Sequence, residues 1–269
     1  MVIIGFSVKT LTVMPLRLRC CCFLLAWLPG LALADPEIMV HEGDLAERGE
    51  VVASLHANTT LKGQRASEGR TWPVHRLSYL MAEFATGLAP GWEAGIHLPF
   101  MRAGIDSDTS QRGDWGASAV MFRLKHIRRQ DSGLFYGFNA EYDINAKRYV
   151  ADPRSIEFRG IVGFDAEHFR VTANPHLIWG FGRSGGDHAP DFNIDWKVLH
   201  KASADFAWGA ELYTDWGKAG HLHPGQGDRT LYLVSEAETA LGSVHLGIGR
   251  GYKETPERTI VKLVWSNSF

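Results

Sequence analysis

The sequence predicts an all-β chain: a single antiparallel up-and-down transmembrane β-barrel of about twelve strands over residues 51–269. Three observations predict it. Apolar residues recur at every second position through twelve segments. The connections between those segments alternate between tight and long. Trp92, Trp115, Trp179, Trp196, Trp208, Trp216 and Trp265 fall near segment ends, where aromatic girdles sit in a bilayer. A soluble sandwich or lipocalin-like barrel also alternates, but it would bury its tryptophans nearer strand middles.

The first four segments are residues 51–61, 75–88, 92–100 and 115–125. Residues 134–145 give the clearest alternation. Leu134, Tyr136, Phe138, Ala140, Tyr142 and Ile144 form one face, and Asn139, Glu141 and Asp143 lie on the other. Residues 155–164 follow, and 169–181 repeat the pattern, with Phe169, Val171, Leu177 and Trp179 against Arg170, Asn174 and His176. Residues 192–198 are short and regular. In 204–216, Phe206, Trp208, Ala210 and Leu212 oppose Glu211, Tyr213 and Asp215. Residues 229–236 and 243–251 alternate too weakly for their faces to be assigned. The last segment, 259–269, sets Thr259, Val261, Leu263 and Trp265 against Ile260, Lys262 and Val264, and ends on Phe269.

Short connections follow the even-numbered segments: Ala89-Pro90, then residues 165–168, 199–203 and 239–242, with 126–133 somewhat longer. Residues 62–74, 101–114, 182–190 and 217–228 follow odd-numbered ones and are rich in Gly, Asp and charge. Short periplasmic turns and long outer loops are the asymmetry expected of such barrels.

The N-terminus reads as an export signal. Arg17 and Arg19 form a basic region, residues 20–31 an apolar run too short to span a bilayer, and Ala32-Leu33-Ala34 a small-residue cleavage site. Met14 offers an alternative start. Residues 1–34 are therefore expected to be removed, leaving 35–50 as a polar periplasmic extension or short lid ahead of the barrel. All three cysteines, Cys20, Cys21 and Cys22, lie in the signal, so the mature chain has no thiol chemistry. Loss of Lys9, Arg17 and Arg19 leaves 25 basic against 30 acidic residues. That balance speaks against nucleic-acid binding.

The C-terminal strand, with Trp265 and the terminal Phe269, resembles that of Gram-negative outer-membrane β-barrel proteins, whose C-terminal Phe belongs to the signal read by the barrel assembly machinery. The resemblance implies an outer-membrane location, lipid around the barrel and that machinery as a partner. The run Glu83-Phe84-Ala85-Thr86-Gly87-Leu88, turning into Trp92-Glu93-Ala94-Gly95, resembles a strand–turn–strand of barrel transporters associated with meta-pathway phenol degradation. It implies passage of small organic molecules and carries no binding residue with it.

If the apolar faces meet lipid, the polar faces line the lumen. The expected lining is Glu83, Glu93, His97, Asn139, Glu141, Asp143, Arg159, Arg170, His176, Asp195, Lys197, Glu211 and Asp215, together with His56, Lys125, Glu157, Asn174 and Lys262. An open lumen with Glu141, Asp143, Glu211 and Asp215 free is expected to pass small solutes passively and to favour cations. The rival expectation is a closed barrel whose carboxylates pair with Arg159, Arg170 and Lys197. A third is an outer-membrane lipid hydrolase, for which Ser54 and His56 offer a chance Ser-x-His on one face. Asp215, His221 and His223 imitate the acid–histidine sets of protease barrels. His221-Leu222-His223 also has the i, i+2 spacing that reaches one metal ion, with no carboxylate or methionine cluster beside it. Neither a catalytic nor a metal site is assigned, and no cofactor is expected.

Overall fold

The computed structural model describes residues 38–66, 73–107, 109, 112–147, 149, 152–181, 189–225, 227–253 and 255–269. The expected signal and its cleavage residues Ala32 and Ala34 lie outside them. Every regular element among the described residues is a strand: β1 (Val51–Gly63), β2 (Ser78–Ala89), β3 (Trp92–Arg102), β4 (Trp115–Ala117), β5 (Ala119–Arg129), β6 (Leu134–Asn145), β7 (Arg154–Asp165), β8 (Phe169–Phe181), β9 (Asp191–Lys201), β10 (Phe206–Lys218), β11 (His221–Leu222), β12 (Arg229–Thr239), β13 (Gly242–Tyr252) and β14 (Glu257–Ser268). Each long strand pairs antiparallel with its neighbours, and β14 returns to pair with β1 from Val52–Ser268 to Gly63–Glu257. The circuit therefore closes with twelve strands and no free edge, which satisfies the backbone within a bilayer. Two short elements lie outside it: β4, which pairs with β3 ahead of β5, and the two-residue β11, a loop hairpin on β10.

The expected fourth strand is interrupted at Ser118, between β4 and β5. Pro99 faces this break from β3 and has no N–H to give the ladder, while its carbonyl accepts from Ser118 N at 2.9 Å. Register moves by one there, from Phe100–Ala117 to His97–Met121. β5 also runs on to Arg129, so the connection expected at 126–133 shrinks to a tight turn.

The two faces separate as the alternation requires. Phe84, Phe122, Phe158, Trp208, Leu233 and Ile248 are exposed on the outside, while Glu83, Arg123, Asn139, Glu157 and Glu211 are buried inside. An apolar exterior around a polar interior inverts the soluble pattern and is that of a barrel solvated by lipid. Trp196 departs from the expected girdle: it lies outward in the middle of β9, and the other six tryptophans sit at or near strand ends.

The two strands whose faces were not assignable, β12 and β13, are explained by packing. Tyr232 and Val234 of β12 point inward and are buried. The facing positions on β13 are glycines, and a Cβ on Gly249 would lie 2.4 Å from Tyr232 Cε1. A ring inside the barrel needs that missing side chain, and the pair together erases the polar-inside signal.

Candidate functional site: the lumen

The thirteen side chains expected to line the lumen all face inward. Eleven are buried, and Arg170 and Asp215 are half-buried. Strand register sets acidic and basic side chains across from one another. Glu83 stands opposite His97, Arg123 opposite Glu141, Lys197 opposite Glu211 and Glu236 opposite His245.

Three clusters result. In the first, Glu83 meets His56 Nε2 at 3.1 Å and His97 Nε2 at 3.3 Å, and His97 Nδ1 lies 3.2 Å from Glu141. Arg123 bridges Glu83 and Glu93, at 2.8 Å from the latter. In the second, Arg159 joins Glu157 at 2.5 Å to Asp195 at 2.6 Å, with His176 between the same carboxylates at 3.3 and 3.6 Å. In the third, Glu211 pairs with Lys262 and accepts from the Tyr213 hydroxyl at 2.8 Å, and Glu236 pairs with Lys197 and with His245 at 3.0 Å. Each carboxylate of the three clusters thus lies against a cation or an imidazole, which offsets the cost of taking it out of water.

This arrangement removes the basis for a cation-selective lumen at Glu211, which is held by Lys262, and at Glu141, which faces His97. Asp143 accepts from Ser155 Oγ at 2.7 Å, and Asp215 from Gly217 N at 2.7 Å. Asn139 lies across from Lys125 on β5 and Arg159 on β7. Ser54 and His56 have other partners. The Ser266 hydroxyl bonds Ser54 Oγ at 2.9 Å, and His56 turns to Glu83. His221 and His223 belong to the exposed hairpin beside β10.

Residues 38–50, expected as a periplasmic extension or lid, run inside the barrel. The segment enters at the short-turn end, where Gly49 N donates to Gly87 O at 3.2 Å. A Cβ on Gly87 would lie 2.3 Å from Glu47 O, so glycine is what admits the chain there. Further in, Ala46 N donates to Glu93 at 2.6 Å and Lys125 Nζ to Asp44 O at 2.8 Å. Asn174 grips His41 through both main-chain groups, at 2.7 and 3.0 Å, and Lys262 Nζ donates to Ile38 O at 3.1 Å. Burial, and then the charges of Arg159, Lys125 and Arg123, hold the His41 imidazole well below its ordinary pKa. Leu45 packs on an inner apolar cluster of Ile127, Phe135 and Ile161. The segment brings its own main-chain donors and acceptors to these lumen side chains.

Sequence reasoning missed several residues of this interior. Arg123 shares the parity of Lys125 and was readable from it. Met81, Met101 and Met121 pack with Tyr79 and Tyr149 into a buried cluster on the lumen side, at positions where polar residues were expected. Tyr149 comes from the β6–β7 loop and donates to Met101 O at 3.3 Å.

No family profile and no curated protein matches the sequence. Solved structures do share the fold. An outer membrane channel from Pseudomonas putida F1 superposes with a TM-score of 0.61 at 12% identity, over 87% of this chain and 100% of that one. The KdgM porin in complex with disordered oligogalacturonate gives 0.53 at 9% identity, over 81% and 99%. The NanC porin gives 0.50 at 10%, over 81% and 98%. At these identities the likeness is one of fold: a closed barrel of the kind that these outer-membrane channels and porins adopt.

Proposed function

We propose that this chain is an outer-membrane barrel that passes small solutes passively, and that residues 38–46 occlude its lumen in the conformation described here. One observation carries the reading: an apolar outer face surrounds a closed interior of ionisable side chains, and the chain segment filling that interior is held by polar contacts instead of a continuous core. Such contacts exchange with water and solute more readily than apolar packing. The fold shared with known channels supports it. Export by a signal cleaved after Ala34, a Gram-negative host and recognition of Trp265 and Phe269 by the assembly machinery belong to the same proposal. So does a preference for small organic molecules, which rests on the hairpin at residues 83–95.

Planar-bilayer conductance of the refolded mature protein tests passage. Discrete conductance that increases when residues 38–46 are deleted supports a channel. A second reading, a closed structural barrel, is favoured by the burial of the lumen charges. It requires zero conductance both with and without the segment. Membrane fractionation with N-terminal mass analysis tests location, and a mature chain in the soluble periplasmic fraction rejects it.

A further inference from the structure

Beside Glu42 and Asp44 the barrel wall presents a patch of four cations against two paired carboxylates. Arg129, Arg170, Lys197 and Lys201 converge there, and the wall carboxylates that pair with them are Asp165 and Glu236. Glu211 lies 3.8 Å from Lys197 but is held by Lys262. The two missing negative charges come from the N-terminal segment. Glu42 Oε2 lies 2.7 Å from Lys197 Nζ, and Glu42 Oε1 lies 3.4 Å from Arg170 Nη1. Asp44 Oδ1 lies 2.7 Å from Arg129, and its Oδ2 lies 3.5 Å from the same Arg170 nitrogen. One guanidinium therefore touches both carboxylates and holds them side by side. The Glu42 side chain is 10% exposed and that of Asp44 is 69% exposed, so one carboxylate is seated deep and the other stands at the mouth.

We infer that this cradle is a binding site for a small organic dicarboxylate, and that Glu42 and Asp44 occupy it in place of the ligand. The inference rests on the reading of the barrel as a channel. Arg170 gives Nε and Nη2 to Asp165 and turns Nη1 to the segment, Arg129 offers Nη2, and the Lys197 ammonium supplies a further point charge, so the cradle presents three separate cationic donors to carboxylate oxygens. A solute with two carboxylates restores the charge balance that the segment now supplies. It competes with the segment for the same three cations. The segment is tethered and present at a high effective concentration, so the free solute binds weakly until the tethered carboxylates are removed.

The test is titration of the refolded full mature chain with succinate, using succinamide as the uncharged probe at matched ionic strength. Glu42→Gln with Asp44→Asn is expected to tighten succinate binding by about tenfold while succinamide remains unbound, and adding Lys197→Met is expected to remove the gain. Unchanged succinate affinity in the double variant overturns the site, as does equal binding of succinamide or a gain that survives Lys197→Met. Heat-modifiable gel mobility reports folding. Should the double variant not fold, Glu42→Gln alone retains the Asp44–Arg129 pair and is expected to tighten binding by about threefold, with no change rejecting the site. Bilayer current on the same samples separates the two proposals. Succinate binding with zero conductance both here and in the chain lacking residues 38–46 rejects the channel and keeps the site, and conductance without succinate binding does the reverse.

Discussion

Lys197 Nζ sits 2.7 Å from Glu42 Oε2, joining the middle of β9 to a residue 155 positions earlier in the chain. This contact, with Asn174 on His41, decides that the N-terminal segment lies within the barrel. Its energetic weight is shared, because Lys197 also pairs with Glu236. Glu42→Ala should therefore cost less than the ~3–5 kcal/mol of stranding a wholly unpaired buried charge. The sensitive readout is hydrogen exchange at residues 41–46. Protection unchanged from wild type would mean that the segment is held by its main-chain contacts alone.

Occlusion can be relieved without altering any charge. Gly87→Val places a side chain where Glu47 O and Ala46 O now lie 2.3 and 2.4 Å from the Cβ position, so the segment must leave its path. The expected outcome is a larger single-channel conductance with the barrel intact by gel mobility. An unaltered current would show that the path of residues 46–49 does not limit passage.

Breaking the second cluster should be expensive. Arg159→Met leaves Glu157 and Asp195 facing each other with only His176 between them, and is expected to destabilise by about 3–5 kcal/mol. Adding Asp195→Asn should return part of that loss. Urea unfolding in lipid measures both, and additive losses would contradict the pairing.

The two faces differ in their response to charge, though not in the way alternation alone suggests. Phe138→Arg and Leu212→Arg should cost ~2–4 kcal/mol at midplane depth in the bilayer. The sequence leads one to expect Asn139→Arg and Glu211→Arg to be milder, since they face the lumen. The structure reverses that expectation. Glu211 is 1% exposed and neutralises Lys262, and Asn139 is 1% exposed between Lys125 and Arg159. Lumen substitutions are therefore expected to equal or exceed the lipid-face ones, and near-wild-type stability of Glu211→Arg would show an interior that is hydrated.

Closure ends on Phe269, whose N donates to Val51 O at 2.9 Å and whose carbonyl accepts from Val51 N at 3.3 Å. Removing Phe269 deletes both bonds and the terminal aromatic. A lower yield of folded, heat-modifiable barrel is expected in vivo, and a wild-type yield would reject the proposal that assembly machinery recognises Phe269.

Alternation and connection length were enough to give the twelve strands and the lumen orientation of Glu83, Glu141, Arg159 and Glu211. A residue's parity in a strand decides which solvent it meets, and parity is a local property. The weak reading of β12 and β13 shows the limit of that rule, because Tyr232 is inside only by virtue of Gly249 across the ladder. The break at Ser118 likewise depends on Pro99 of the neighbouring strand. Pairing lay further out of reach. Glu211 reads as a free lumen carboxylate until β14 closes on β1 and β13 and brings Lys262 within reach. Glu42 reads as part of an external tail until the barrel presents Lys197 and Arg170 to it. Which faces are polar is thus written along the chain, but which charges cancel, and what fills the space between them, is set by closure: it places residues more than a hundred positions apart within hydrogen-bonding distance.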